Sequence, residues 1–524
     1  AQAVADRLTA GDGGRTIDDS LIDPPGTTPG WSQADLLGKL FPTGGASPLV
    51  DSVNAHYDHT ALEPSAVNAG TSSQLELDSD LVASAAGQLA GHILFTMGCH
   101  AGLSVPDAYV AGATSADTAL KLDWAQALSA SGVSIYVANT GYGIGDTSSV
   151  AYSERLMGLY AKELDGSLTA GQALVYAKQA YYGSLGAVGV YDLKVLQQVA
   201  FYGLPFWYVG AAPTGSTPPP PPTAPAPPGT IGPDPSISGL QSMPLTVPST
   251  FTQQNITGRG TFWVVNGPAG TTLDPQVTQY EPIQPATSQS IVAPNLTAHG
   301  ALITALSSHD VLNVNPVLNT PTIDLSASSP EVKSGNAAWP ASIATITTST
   351  APYGRAQGLV IVPGQFLGST SDGTGRQRLF DSVGVSVLYG STTSTDFNPP
   401  AIATTSASAG GSSLTFKVSA ADGEGPVAQV LAGFHDFDGS WKFVTLALQS
   451  DGSWSGVGNA SHAFGPSDGI EYFIQAVDGA GNVSTASNKA ANFDASTDTT
   501  PPTITATVSP APNVAGWSNA ASET

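Results

Sequence analysis

The stretch His92-Ile-Leu-Phe-Thr-Met-Gly-Cys-His-Ala-Gly102 decides how this chain is read. Its apolar run from Ile93 reads as a buried strand, and Gly98 to Gly102 as a small-residue turn at the strand's end. Cys99 stands on that turn and is the single cysteine in 524 residues. With one thiol no internal disulfide can form, and a purely packing role could be filled by alanine or valine. A lone thiol at a strand end therefore points to chemistry.

Working outward, Pro48 to Ala55 reads as a strand ending near His56, and Val133 to Asn139 as a third strand. Ser32-Gln-Ala-Asp35 ahead of Leu36, Leu37, Leu40 and Phe41 is a helix start with a capping-box variant. Helical spacing recurs over Ala116 to Ser131, Ser148 to Leu164 and Thr169 to Leu185. Strands alternating with helices predict a mostly parallel sheet covered on both faces. Beyond the Pro-rich run Pro218 to Gly229, expected to be a stiff polyproline II spacer, the period changes to two, as in Leu414-Thr-Phe-Lys-Val418. The expected fold class is multidomain, an α/β domain followed by all-β domains. The boundaries are 1–212 for the α/β domain, 213–235 for the linker, 236–396 for a β-rich domain, 397–496 for a β-sandwich, and 497–524 for the start of a further β repeat. Asp396-Phe-Asn-Pro-Pro400 and Asp498-Thr-Thr-Pro-Pro502 resemble each other as domain entrances.

Sixteen Lys and Arg against 40 Asp and Glu give a net charge of −24, which argues against nucleic acid and anionic membranes as partners. No apolar run approaches the roughly 20 residues of a membrane span. The first residues lack a secretory signal pattern, and both ends read as cut, with the opening strands of the α/β domain expected upstream of Ala1. Few charges with abundant Gly, Ala, Ser and Thr suggest an extracellular, secreted or cell-surface protein.

Two neighbouring parallel strands ending in His and Cys would bring imidazole and thiol to the carboxyl edge of the sheet, where open α/β sheets bind ligands. A thiol of ordinary pKa is only a few per cent thiolate at neutral pH, so an imidazole is needed to activate it or to protonate a leaving group. Asn54-Ala-His-Tyr-Asp-His59 offers both His56 and His59. The backbone N–H at Cys99 and the small residues around it could receive an oxyanion, a contribution of order ~3 kcal/mol to the barrier. His100 reads as a pocket or structural residue and His92 as structural. A rival zinc site would draw on His56 and His59 with Asp58, Cys99 or His100. Gly141, Gly143 and Gly145 read as a turn shaping a substrate cleft, with Asp146 either selecting a basic substrate side chain or capping the segment from Thr147.

These residues resemble the gingipain-like cysteine peptidases, which share the caspase-like fold. The resemblance covers roughly residues 1 to 210. It runs through the His-bearing strand, Gly98-Cys-His-Ala-Gly102, Gly141-Tyr-Gly-Ile-Gly-Asp-Thr147, Ser153-Glu-Arg-Leu156, Ala173-Leu-Val-Tyr-Ala-Lys178 and Tyr202-Gly-Leu-Pro205. It implies a secreted cysteine endopeptidase acting on proteins or peptides, with Cys99 as nucleophile and His56, or alternatively His59, as its partner. The oxyanion and substrate pocket would involve Gly98, Tyr57, His100 and Asp146. Tyr57 stands where the family has glycine. No cofactor or metal is required, although calcium on surface carboxylates suits an acidic extracellular chain. Trp441, Trp454, Tyr472 to Gln475 and Gly481-Asn-Val483 resemble bacterial immunoglobulin-like or fibronectin-like domains, implying attachment to cell-surface or matrix components. The alternative is a catalytically degenerate, peptidase-like adhesion or scaffold protein.

Overall fold

The computed structural model describes residues 4–6, 8, 18–22, 30–43, 48–65, 76–104, 122–146, 148–209, 223–321, 338–368, 373–465, 468–487 and 492–496. The chain is mostly β and multidomain, and its first part carries a sheet that contains parallel strands. In chain order the strands of this part are β1 (Val50–Ser52), β2 (His56–Tyr57), β3 (Ala61–Glu63), β4 (Leu77–Asp78), β5 (Ile93–Phe95), β6 (Ile135–Asn139) and β7 (Val199–Gly203). The main sheet has the order β1-β5-β6-β7, the first three parallel and β7 antiparallel. A smaller antiparallel sheet, β2-β3-β4, lies beside it.

Every residue of β5 and β6 is buried, as expected of strands covered on both faces. Alternation sends Ile93, Phe95, Ile135 and Val137 to one face, against Leu156, Met157 and Tyr160 of helix Tyr152–Glu163 and Ala173 and Ala177 of helix Ala170–Gly183. Leu94, Tyr136 and Ala138 face the other way, onto Leu36 and Leu40 of helix Gln33–Leu40 and Trp124 and Leu128 of helix Trp124–Ala130. Each such side chain contributes about 1.5–3 kcal/mol when fully buried. Capping fixes the helix starts: Ser32 and Asp35 form a reciprocal box, as do Thr169 and Gln172.

Three expectations change. The strand foreseen over Pro48 to Ala55 ends at Ser52, because Asn54 turns its amide inward to Ser52 Oγ and to the Met97 N–H. His56 therefore lies on the small antiparallel sheet and not at the end of a parallel strand. The helix foreseen from Ser148 begins at Tyr152, after Asp146 has bonded Ser148 and Ser149 in a turn. Of the helix foreseen over Ala116 to Ser131, Trp124–Ala130 is helical, while 116–121 lie outside the described residues. The foreseen repeat start over 497–524 also lies outside them.

In the second part, strands Leu296–Val314 and Gly375–Ser391 pair antiparallel with four register shifts, and Gln241–Pro248 extends the same sheet. Thr287–Ser290, Gly354–Ile361 and Ala344–Ala351 form a further sheet. The third part, Ala401–Ser496, is one eight-stranded antiparallel sheet around Leu414, Phe416, Phe434, Tyr472 and Ile474. The Pro-rich stretch, whose residues 218–222 lie outside the described ones, separates the α/β part from the β parts in sequence but not in space. Phe262, Val264, Val277, Ile283 and Val317 of the second part share one core with Leu156 and Tyr160 of the first. Between the second and third parts, the buried Arg378 guanidinium holds Asp310 at 2.8 and 2.9 Å and Glu471 at 2.8 Å and lies over the Trp441 ring. The Gln475 amide bonds both backbone groups of Ile303.

Candidate active site

The turn after β5 is pinned from three directions. Met97 donates its N–H to Asn54 Oδ1 at 3.1 Å and accepts from Asn139 Nδ2 at 2.8 Å. Gly98 N–H donates to Thr96 Oγ1 at 3.0 Å. His100, in the left-handed region at φ 54°, donates its N–H to the Gly141 carbonyl at 2.7 Å, and Gly102 donates to Asn139 at 2.8 Å. Cys99 is thereby held at the carboxyl edge of the parallel strands, half-buried, with Sγ 3.8 Å from the Gly143 carbonyl. Burial pushes the Cys99 thiol up from its ordinary value, with backbone contacts from Gly143 and from Cys99 itself pulling the other way. The Cys99 N–H finds no carbonyl acceptor among the described residues, its contact being the thiol of the same residue.

Close approach requires glycine on both sides of the thiol. A Cβ on Gly143 would lie 2.0 Å from the Met97 carbonyl oxygen, and one on Gly98 would lie 2.2 Å from Tyr57 Cδ2. The Tyr57 ring therefore rests on Gly98, one residue before the thiol, and also packs edge-on against Trp124.

The β2–β3 hairpin is closed by Asp58, whose Oδ1 accepts from the N–H groups of Thr60 and Ala61 and from Thr60 Oγ1. His59 is half-buried, and its carbonyl accepts the Trp124 N–H. His56 is exposed. His100 packs edge-on against Tyr142, with ring centroids 4.5 Å apart. Its pKa is lowered by burial and then by the charge of neighbouring His59, with Asp58 acting in the opposite sense. His59, Asp58 and His100 thus share one electrostatic neighbourhood at the mouth of the turn.

Other candidates sit elsewhere. His92, just before β5, is buried and pairs through Nδ1 with Oδ2 of Asp51 in β1 at 2.9 Å. Asp146 is 5% exposed and its oxygens are bonded to Ser148, Ser149, Asn319 and Thr320, and of its two readings the cap for the segment from Thr147 is the one these bonds match. The Gly98 N–H, bonded to Thr96, is not free to receive an oxyanion. The zinc set does not converge: among the described residues the group close enough to share a cation is Asp396, Asp422 and Asp478, at the junction of the second and third parts. Among the described residues no helix is long and apolar enough to cross a membrane. The anchoring residues Asn54 and Asn139 escape a sequence reading, although Asn54 follows a strand closely and Asn139 ends one, where a turn anchor would be sought.

No family model matches the chain, and no curated protein matches it. Among solved structures it is similar in part to a pullulanase complexed with maltotriose, from Anoxybacillus sp. LM18-11. That match has 11% identity and a TM-score of 0.13, and it covers 28% of this chain and 20% of that one.

Proposed function

We propose that this chain is a secreted cysteine endopeptidase of the gingipain-like class, its first part a caspase-like domain and its last an immunoglobulin-like one. The observation that carries the reading is the pinned thiol at the carboxyl edge of β5, with the histidine-bearing hairpin folded directly against it through Tyr57 and Gly98. A thiol pushed up by burial is protonated at neutral pH, so attack requires a base to draw off its proton. A hairpin histidine, His56 or His59, takes that proton as Cys99 Sγ attacks the peptide carbonyl and returns it to the leaving amine; water then releases the acyl group. The Cys99 N–H, which donates to no carbonyl among the described residues, is the backbone donor assigned here to the developing oxyanion. This chemistry needs no cofactor, and the β parts serve attachment.

One observation favours the degenerate scaffold as a second reading: the thiol's polar contact is a carbonyl and not an imidazole. Labelling of Cys99 by a peptidyl acyloxymethyl ketone decides between them, run on the whole chain beside His56→Ala and His59→Ala. Labelling lost with one histidine assigns the dyad. A folded chain left unlabelled by probes of varied sequence leaves the scaffold.

A further inference from the structure

The loop Gly141–Asp146 meets the thiol at one end and the second part of the molecule at the other. At the near end, the Gly141 carbonyl receives the His100 N–H and the Gly143 carbonyl lies against Cys99 Sγ. In the middle, Ile144 exchanges two hydrogen bonds with Ser153, donating to its Oγ at 3.1 Å and accepting its N–H at 3.0 Å. At the far end, Asp146 Oδ2 accepts from Asn319 Nδ2 at 2.7 Å and from the Thr320 N–H at 3.3 Å. All four partners of this buried carboxylate are neutral donors, so the site is built by hydrogen-bond geometry and not by a counter-charge.

Asn319 is completely buried and fixed on every side. Its backbone pairs with Tyr280 and Glu281, and its Oδ1 accepts the Tyr152 hydroxyl at 2.6 Å. Tyr152, the first residue of its helix, has φ 54°, a conformation that costs a non-glycine residue energy and persists only where surroundings hold it. One amide from the second part thus grips both the end of the Gly141–Asp146 loop and the start of the helix that follows it.

We infer that Asp146 is a positioning residue, through which the Asn319–Thr320 corner holds the Gly141–Gly145 loop over Cys99, so that the second part of the molecule sets the exposure of the thiol. The inference deepens the cysteine-peptidase reading and rests on it for its catalytic consequence.

The test is alkylation of Cys99 by iodoacetamide in the whole chain, followed by mass spectrometry at one fixed pH. Asn319→Ala and Asp146→Asn, each of which disturbs the 2.7 Å bond, are expected to raise the alkylation rate by about two- to thirtyfold, the range through which networked residues modulate a distant site. The exchanged pair, Asp146→Asn with Asn319→Asp, rebuilds the 146–319 bond with donor and acceptor reversed but not the bond from the Thr320 N–H, and is expected to return the rate part of the way to the parent's. A purely structural contribution would not be rescued in this way. If Asn319→Ala does not fold, Tyr152→Phe, which leaves the 146–319 bond in place, is expected to give a smaller rise. Parent-like rates in the folded single variants, or a raised rate that the exchange leaves unchanged, would overturn the inference. Iodoacetamide needs no peptide recognition, so the two readings fail separately. A chain that no peptidyl ketone labels but whose alkylation follows Asn319 loses the peptidase reading alone; one that is labelled but alkylated independently of Asn319 loses the positioning role alone.

Discussion

The seam between the α/β part and the second part is apolar, with Phe262, Val264, Val277, Ile283 and Val317 entering the core of the main sheet around one carboxylate bonded to neutral donors. The seam between the second and third parts adds an ion cluster to its apolar contacts: Leu302 and Leu388 share a core with Leu431 and Val477, and Arg376 and Arg378 meet Asp310 and Glu471 under the Trp441 ring. Burial of apolar surface is indifferent to protonation, whereas an ion cluster depends on every carboxylate staying ionised. One molecule therefore has two joints of different make-up, and only the joint farther from the thiol adds an arginine–carboxylate cluster to its apolar contacts.

The largest effect is expected from Arg378→Ala. It leaves Asp310 and Glu471 facing each other without their main cation, and breaking a buried pair in this way costs about 3–5 kcal/mol. Urea unfolding of the whole chain should show an early transition confined to the third part, while Asn319→Ala should leave that transition in place.

Acid should separate the two joints without any mutation. Burial pushes Glu471 up, but the charges of Arg378 and then Arg376 outweigh it and bring the carboxyl from 4.5 down to about 2. A folded value below the unfolded one contributes stability that is full above the ordinary glutamate range and is lost as pH falls towards about 2. Asp51 and Asp192 in the α/β part are displaced the other way by burial, so their ionisation weakens the fold as pH rises and their protonation does not harm it. Hydrogen exchange along a descending pH series should expose Gly469–Asp478 before β5 and β6. The reverse order would remove the distinction.

Near the thiol the comparison turns steric. Gly143→Ala drives a methyl into the Met97 carbonyl and is expected to cost about 1–3 kcal/mol and to abolish Cys99 labelling. Gly98→Ala meets a ring instead of backbone, so its cost should fall when Tyr57→Leu is introduced with it, as thermal denaturation of the double variant would show. The smallest effect is expected at the exposed pair His309–Asp381, where His309→Gln should change stability by less than about 0.5 kcal/mol in the same assay. A larger change there would mean that exposed ionic contacts matter beyond the Arg378 cluster.

What could be read in the sequence was local. The capping residues Ser32 and Thr169 mark their helices, the runs through Ile93 and Ile135 mark the buried strands, and the alternation at Leu414, Phe416 and Val418 marks a half-buried strand. The thiol turn was legible because a strand end and a lone cysteine coincide within a few residues. The hairpin was not: periodicity continues past Ser52, and only the Asn54 amide reaching Met97, 43 residues on, explains why the strand stops. Asp146 was legible only in part: the alternative that it caps the segment from Thr147 agrees with its bonds to Ser148 and Ser149, but not its longer reach. Its partner Asn319 lies 173 residues away, and neither residue's neighbours hint at the pairing. The Arg378–Glu471 contact spans 93 residues and is equally silent in sequence.

The core that joins Leu156 and Tyr160 to Phe262 and Val317 has a consequence in time as well as in space. A ribosome delivers the chain from its amino end at a finite pace, and domains generally assemble as they emerge. Here the strand that carries Cys99 is made long before Val317 and Asn319, which complete its hydrophobic support and tie down the loop above it. A nascent chain must therefore carry an immature thiol turn until Asn319 has been synthesised, and the turn takes its final geometry only when the adjoining β unit is already present to enclose it.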